Sequence, residues 1–398
     1  MARTHKTPLS QSKISKINAR QVLDSRGNPT VEAEVWVHSG LVGRAAVPSG
    51  ASTGTHEALE LRDGNKKAFN GMGVQKAVNN VNSAITKRIV GMSCTEQMKI
   101  DHAMINLDGT SEKRVLGANA ILAVSMATSR AAAAVEQKPL YAYLSDNEQF
   151  KLPIPMMNII NGGKHAGNGL SIQEFLIEPV GAKSFSDALR FGTEVYHTLK
   201  SILKRRYGES STNVGDEGGY APALSNNHDA LDAIVDAISE AGFSESQIKI
   251  GIDAAASSFY DERRQQYQVD GNDLSRGELA DYYVKLADTY PILTMEDPFY
   301  EEAFNDFSGL TRRIGNRVMI IGDDLFVTNP DRIRQGIAQR ASNAVLIKPN
   351  QIGTLTETLQ AIRTAQDADF AHVVSHRSGE TDDTFIAHLA TATESPFI

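Results

Sequence analysis

The chain is poor in cysteine and tryptophan and carries no excess of basic residues. Its 398 residues include one cysteine, Cys94, and one tryptophan. One cysteine cannot form a disulfide within the chain or a cysteine zinc site, and it is typical of a reducing compartment. The 40 lysine and arginine residues are outnumbered by 48 aspartate and glutamate residues, which gives a net charge of -8. An acidic chain repels phosphate backbones, so direct binding to nucleic acid is not expected.

Long uninterrupted apolar runs are also missing. The most apolar stretch, residues 118–135, is interrupted by two serines, a threonine and an arginine, so we expect no membrane span. The first thirteen residues, MARTHKTPLSQSK, lack the apolar segment of a secretory signal and read as a polar tail. Apolar residues make up 41% and charged residues 22% of the chain, as in ordinary globular proteins. We therefore expect a cytoplasmic protein.

The hydrophobic pattern changes at about residue 145, which suggests two domains. Residues 31–37 (VEAEVWV) alternate apolar and polar side chains between turn residues, which is the period of a half-buried strand. Residues 57–135 have a mostly helical pattern, and the alanine-rich stretch 119–137 has a high helix propensity. We therefore predict a small α+β domain over residues 14–145, preceded by the polar tail 1–13.

Residues 146–398 alternate short apolar runs with amphipathic helical stretches, which predicts an α/β domain. The first two runs lie a short loop apart, so we expect them to pair antiparallel. The later runs read as strand–helix units whose strands are buried on both faces. Seven such strands favour a TIM-like (β/α) barrel, with a doubly wound open sheet as the alternative. The predicted strand runs are residues 154–160, 172–180, 248–254, 292–298, 318–324, 344–349 and 371–376.

Each later apolar run finishes with an ionisable residue. In a parallel barrel all strand ends meet at one face, where barrel enzymes carry their chemistry. We therefore expect the acids among these residues to converge although they are far apart in sequence. The strand-end residues are Asp253, Glu296 with Asp297, Asp323 with Asp324, Lys348, and His376 with Arg377.

Three carboxylates in one partly dry site repel each other, and a bound divalent cation would remove that cost. Oxygen ligands without cysteine favour Mg²⁺ over Zn²⁺, so Asp253, Glu296 and Asp323 predict a magnesium site. Alternatively, each acid is a solvated strand end or a helix N-cap. Lys348 ends a buried strand, and beside a metal its pKa should fall, which suits a general base. Its alternative role is an ion pair with Asp324 or Glu296.

Loops supply further candidates. Glu217 lies in the glycine-rich segment TNVGDEGGYAP (212–222), which either aims a carboxylate as a general acid or is a flexible acidic turn. His165 follows the first strand in NGGKHAGN (161–168), where it binds a ligand or is merely solvated. Gln173 and Glu174 lie near the start of the second strand.

Two more loops favour an anionic ligand. The hydroxyls and amides of VPSGASTG (47–54) could close over a phosphate or a metal, or the segment is a plain linker. In HRSGET (376–381), Arg377 can bind a phosphate or a carboxylate through two hydrogen bonds, and Ser378 adds a hydroxyl. Together with the acidic site, these residues predict a substrate that carries a phosphate and a carboxylate.

Ten motifs spread from about Ile14 to Ala390 resemble the enolase family, in a style typical of bacterial members. The motifs are long, ordered and specific, so chance similarity is negligible. They are DSRGNPTVE (24–32), PSGASTG (48–54), LGANAIL (116–122), NGGKHAG (161–167), QEF (173–175), VGDEGGYAP (214–222), MEDPF (295–299), GDDLFVTNP (322–330), KPNQIGT (348–354) and SHRSGET (375–381).

The resemblance implies a fold and a reaction. The fold is a small N-terminal α+β domain on a barrel that begins ββαα and continues with βα units. The reaction is the reversible dehydration of 2-phosphoglycerate to phosphoenolpyruvate in glycolysis and gluconeogenesis. In that reaction Lys348 would remove the C2 proton, and Glu217 would be the acid that helps hydroxide leave C3.

The resemblance also implies two Mg²⁺ ions per site and a homo-oligomer built on dimers. The first ion would be held by Asp253, Glu296 and Asp323, and a second, substrate-dependent ion would involve Ser52. Family members are cytoplasmic, with a secondary cell-surface or secreted presence in some. The residues implied around the substrate are His165, Gln173, Glu174, Lys348, Arg377 and Ser378.

One departure from the family concerns the last residues. Family members continue with a strand that carries a lysine in a KTG-like motif, followed by helices, whereas this chain stops at ATATESPFI. We therefore expect a barrel without its last strand, with two exposed strand edges and impaired turnover. The alternative functions are an inactive homologue that acts as a binding protein, and a related metal-dependent enzyme that acts on a non-phosphorylated carboxylate. The DEGG and SHRSGET motifs speak against the second alternative.

Overall fold

A three-stranded antiparallel sheet and a long buried helix form the first domain of the computed structural model, which describes residues 10–50 and 54–398 except the side chains of Lys164 and His165. The apolar positions of residues 31–37 are buried, as their period-two pattern predicts. The strands are β1 (Ile14–Leu23), β2 (Pro29–Val37) and β3 (Val42–Ala46), and the helices are α1 (Gln75–Asn80), α2 (Thr86–Ile89), α3 (Gln97–Asp108), α4 (Ala118–Val135) and α5 (Leu140–Tyr143).

Helix α4 is the core helix of this domain. By length and composition it could cross a membrane, but 89% of it is buried inside the protein. It packs so closely on β3 that a Cβ atom on Gly43 would lie 2.0 Å from the carbonyl oxygen of Ala127. Packing in the core therefore accounts for its apolar composition.

Residues 57–74 are irregular apart from a 3₁₀ turn at Phe69–Gly71, so the prediction of mostly helical structure is wrong for this stretch. Some of their backbone groups bond to one another across the stretch, as in the 2.7 Å contact from the Asp63 N–H to the Gly73 carbonyl, and others bond to distant parts of the chain. The Ala58 N–H, for example, donates to the Gln351 carbonyl at 2.8 Å. This contact holds residue 57 against the second domain.

The second domain is a barrel whose strand order follows the order of the chain. In the described residues, its sheet runs β4-β5-β6-β10-β11-β12-β13. The strands are β4 (Met157–Asn161), β5 (Glu174–Glu178), β6 (Lys249–Asp253), β10 (Ile292–Glu296), β11 (Met319–Gly322), β12 (Ala344–Ile347) and β13 (Ala371–Val374), and a small separate sheet contains β7 (Tyr260–Asp261), β8 (Gln266–Val269) and β9 (Asn272–Leu274). A doubly wound sheet would reverse its order at an inner strand, so the predicted barrel is confirmed.

Helices cover the outside of the barrel. They are α6 (Gly163–Ala166), α7 (Phe185–Tyr207), α8 (Asn227–Glu240), α9 (Arg276–Thr289), α10 (Phe304–Ile314), α11 (Pro330–Gln339), α12 (Pro349–Ile352), α13 (Leu355–Gln366) and α14 (Phe385–Ala392). Strand β5 pairs antiparallel with β4 and β6, and the later pairs are parallel. Because α7 and α8 follow β5 before β6, the barrel begins ββαα, as predicted.

The eighth position of the barrel is occupied by the segment 395–398. Ile154 and Phe397 form a parallel bridge, and the Ile398 N–H donates to the Ile154 carbonyl at 3.0 Å. On the other edge, the Val374 N–H donates to the Ser395 hydroxyl at 3.2 Å. The expectation of two exposed strand edges is therefore corrected, since a segment too short to read as a strand bonds to both of them.

Apolar side chains fill the barrel below its carboxyl end. Phe397 packs there with Ile321, Leu346 and Val373. Their neighbours along each strand point outward to the helices, as the alternation of a strand requires. This packed layer gives the strand ends above it a rigid support.

Candidate active site

A cavity of ≈ 270 Å³ opens at the carboxyl ends of the barrel strands. This is the face at which barrel enzymes carry their chemistry. The structure brings nine of the site residues predicted from the sequence to its wall. They are Gln173, Glu174, Glu217, Asp253, Glu296, Asp323, Lys348, Arg377 and Ser378. Ser52 and the side chain of His165 lie outside the described residues.

Strand register brings the three predicted metal-binding acids together. Asp253 and Glu296 are paired across β6 and β10, and Asp323 follows β11 two residues after the partner of Glu296. Burial raises the pKa of Asp253 to about 7, against the lowering effect of Lys348. Burial, then the charges of Asp253 and Asp323, raise the pKa of Glu296 well above its usual range. These shifts reflect first the burial of negative charge and then mutual repulsion, and a bound cation would offset both.

Asp297 holds the loop that carries Asp323, a role that the sequence did not indicate. Its carboxylate accepts hydrogen bonds from the N–H groups of Asp323 at 2.9 Å and of Asp324 at 2.6 Å. Among the described residues, these three acids form a group whose ligand oxygens all lie within 4.8 Å of one another. Of the three acids predicted from the sequence to bind the metal, only Asp323 belongs to this group. The doubled acids of MEDP and GDD were visible in the sequence, but their backbone contacts were not.

The donor set of the cavity fits a hard divalent cation. Its acidic side chains offer carboxylate oxygens, and no cysteine is among the described residues that line it. Oxygen donors of this kind suit Mg²⁺. Aspartates of this cavity could thus hold a metal ion. Burial, with neighbouring negative charge, raises the pKa of Asp253 and of Glu296 beside them.

Lys348 lies at the end of β12 and donates a hydrogen bond from Nζ to Oδ2 of Asp323. Burial alone would lower the pKa of Lys348, but the negative charges of Asp323 and Glu296 raise it above its usual range. The pKa of Lys348 would therefore fall, as predicted beside a metal, only where positive charge offsets these carboxylates. The ion pair considered as the alternative does form, with Asp323 as the partner instead of Asp324 or Glu296.

Glu174 and Glu217 form a hydrogen-bonded carboxyl pair across the cavity wall. Burial and then the charge of Glu217 raise the pKa of Glu174 well above its usual range, which favours a proton shared between the two carboxyl groups. The glycine-rich loop reaches this position because it packs closely on β4. A Cβ atom on Gly219 would lie 2.5 Å from Oδ1 of Asn161.

Two predicted substrate-binding residues are held by acids. Gln173 donates from Nε2 to Oδ2 of Asp253 at 3.0 Å. The buried Arg377 guanidinium donates to both carboxylate oxygens of Glu57, at 3.0 and 3.2 Å, and to Oδ1 of Asn350 at 3.0 Å. No sequence pattern indicated Glu57, because only the packing of the two domains relates it to a residue 320 positions away.

Lys348 and the carboxyl pair stand on opposite walls. With residues 395–398 in the eighth position, β12 and β5 are four places apart in either direction around the barrel. Lys348 follows β12, and Glu174 begins β5. A small molecule bound in the cavity would therefore have the Lys348 side chain on one side and the carboxyl pair on the other.

Two family models match almost the whole chain. The model described as "Enolase, N-terminal domain" matches residues 14–144, and the model described as "Enolase, C-terminal TIM barrel domain" matches residues 149–398.

Similar curated proteins bear the same name. The enolase of Methanococcoides burtonii is 55% identical over 379 residues, which cover 95% of this chain and 88% of that protein. The enolase of Methanosarcina barkeri is 55% identical over 380 residues, covering 96% of this chain and 88% of that protein. The enolase of Thermococcus gammatolerans is 54% identical over 380 residues, which cover 95% of this chain and 88% of that protein. The chain belongs to the enolase family.

Proposed function

We propose that this site carries out the Mg²⁺-dependent, reversible dehydration of 2-phosphoglycerate to phosphoenolpyruvate, a step of glycolysis and gluconeogenesis. Relatives that bear the enolase name are 54–55% identical over nearly the whole chain. The observation that carries the proposal is the placement of the Lys348 side chain and a hydrogen-bonded carboxyl pair on opposite walls of one acidic cavity. Loss of water from adjacent carbons needs a base at one carbon and an acid at the other.

Lys348 is the proposed base at C2. The proton there is weakly acidic, because its removal places a second negative charge on the substrate carboxylate. Asp253, Glu296 and Asp323 are the proposed ligands of Mg²⁺, and the Asp297 carboxylate is proposed to hold the loop of Asp323 through the two backbone N–H groups that it accepts. The bound ion would stabilise the developing charge and offset the carboxylates that raise the pKa of Lys348.

Glu217 is the proposed acid at C3. It is proposed to share a proton with Glu174, because burial and the charge of Glu217 raise the pKa of Glu174 and disfavour two charges on the pair. Donation of this proton to the C3 hydroxyl turns a poor leaving group, hydroxide, into water. The carboxyl pair and Lys348 face the substrate from opposite sides, so the two proton transfers do not compete for one position.

Arg377 and Ser378 are proposed to bind the substrate anion, together with Gln173 and His165. The bidentate contact with Glu57 fixes the plane of the Arg377 guanidinium before substrate arrives. A second, substrate-dependent Mg²⁺ with Ser52 enters the proposal from the family resemblance alone.

We also propose a cytoplasmic homo-oligomer built on dimers, with domain limits at 14–145 and 146–398. The low cysteine content of the chain supports the location. The small-molecule substrate is the proposed partner of the site.

The test is Mg²⁺-dependent formation of phosphoenolpyruvate from 2-phosphoglycerate, followed by its ultraviolet absorbance. We expect activity in the wild type, wild-type activity in the exposed control variant Lys285→Ala, and a loss of at least about 10³-fold in Lys348→Ala. A folded wild-type protein no more active than Lys348→Ala would refute the proposal.

A further inference from the structure

A closed ring of hydrogen bonds starts and ends at Lys348. The Lys348 backbone N–H donates to Oγ1 of Thr328 at 2.9 Å, and that hydroxyl donates to Oε1 of Gln351 at 2.7 Å. Nε2 of Gln351 donates to Oδ1 of Asp323 at 2.8 Å. The other oxygen of Asp323 accepts from Nζ of Lys348. Thr328 and Gln351 thus join the backbone of the proposed base to the carboxylate that its side chain contacts.

The polarity of the ring leaves one arrangement of its protons. The Thr328 hydroxyl accepts from a backbone N–H, so its single proton is directed to the carbonyl oxygen of the Gln351 amide. The amide must then direct its NH₂ group to Asp323. Thr328 is 0% exposed and Gln351 is 1% exposed, so water does not compete for these bonds.

The backbone around Thr328 is held in an unusual conformation. Val327 and Thr328 have φ angles of 45° and 55°, in the left-handed region that β-branched residues disfavour. Strain of this kind persists only where surrounding contacts fix it, and it is common near functional sites. Here the conformation turns the Thr328 hydroxyl toward both of its ring partners.

We propose that Thr328 and Gln351 are positioning residues that set the orientation of the Asp323 carboxylate relative to Lys348. Neither residue lines the cavity, so neither would contact the substrate directly. The catalytic part of this inference rests on the proposed function. Loss of the ring would let the Asp323 carboxylate rotate, which weakens metal binding and misplaces the base without removing a substrate contact.

The test compares Thr328→Val, which removes only the hydroxyl, with Thr328→Ser, which keeps it. For Thr328→Val we expect kcat to fall roughly 10–100-fold with KM nearly unchanged, and the calorimetric Kd for Mg²⁺ alone to rise about tenfold. Thr328→Ser should restore most of the wild-type kcat and most of the wild-type affinity for Mg²⁺. The matched control is Thr358→Val, because Thr358 is equally buried but its hydroxyl bonds only to a helix carbonyl, that of Thr354, at 2.7 Å.

A second variant guards against a folding defect at position 328. Gln351→Met should raise the Kd for Mg²⁺ in the same way and lower kcat with KM nearly unchanged. The proposal is overturned if Thr328→Val binds Mg²⁺ and turns over like the wild type, or if Thr328→Ser is as impaired as Thr328→Val. An inactive wild type would contradict the proposed function instead, and the Mg²⁺ titrations would still test the ring.

Discussion

Glu178 offers a quantitative test of the barrel interior, away from the cavity. This residue ends β5 and is 0% exposed. Its Oε1 accepts a hydrogen bond from the Thr294 hydroxyl at 2.5 Å, while its Oε2 has no hydrogen-bond partner among the described residues. Burial raises the pKa of Glu178 to about 7, against the lowering effect of that hydroxyl.

The sign of the effect on stability follows from the direction of this shift. The usual pKa of the group is 4.5, so between pH 4.5 and about 7 the folded state retains a proton that the unfolded state releases. The stability due to this proton is fully present below pH 4.5 and is lost as the pH rises through about 7. The shift amounts to about 3 kcal/mol in the free energy of unfolding.

Glu178→Gln mimics the protonated side chain at every pH. We therefore expect the variant to gain about 3 kcal/mol relative to the wild type between pH 4 and pH 8. Urea unfolding of both proteins across this range, followed by circular dichroism, measures the difference. Comparing the slopes with pH removes any constant effect of the new amide. Parallel pH profiles for the two proteins would refute the reasoning.

Three further predictions follow from the site and from barrel closure. Glu57→Gln weakens the bidentate pair with Arg377, so KM for 2-phosphoglycerate should rise about tenfold, whereas the exposed control Glu245→Gln should leave it unchanged; equal KM values in the two variants would contradict the anchoring role. Chelation of divalent ions should abolish turnover and lower the melting temperature, and added Mg²⁺ should restore both; a chelated protein with full activity would contradict the metal site. Ser395→Ala removes the hydroxyl that bonds to Val374, so the free energy of unfolding should fall by about 1–3 kcal/mol; an unchanged value would show that this bond does not help to close the barrel.

The strand ends of the site could be predicted because they follow a local rule. Asp253, Glu296, Asp323 and Lys348 each come directly after a buried apolar run, and parallel strands bring such positions to one face. Their convergence therefore follows from the chain pattern once a barrel is chosen.

The contacts that orient these residues could not be predicted in the same way. Thr328, Gln351 and Glu57 carry no local pattern, and their partners are set by loop geometry and by the packing of the two domains. The closing segment 395–398 was missed because four residues are too few to show the period of a strand. The irregular path of residues 57–74 was missed because its non-helical hydrogen bonds, both within the stretch and to distant residues such as Gln351, override the helical pattern.

The central claim is that Lys348 removes the C2 proton and Glu217 assists the loss of hydroxide. The most direct measurement is the loss of deuterium from C2-deuterated 2-phosphoglycerate in Mg²⁺ buffer, followed by mass spectrometry alongside phosphoenolpyruvate. We predict that Glu217→Gln still exchanges deuterium, while its formation of phosphoenolpyruvate falls roughly 10²–10⁴-fold. Lys348→Met should neither exchange deuterium nor form phosphoenolpyruvate. Exchange by Lys348→Met at the wild-type rate would contradict the assignment of the base.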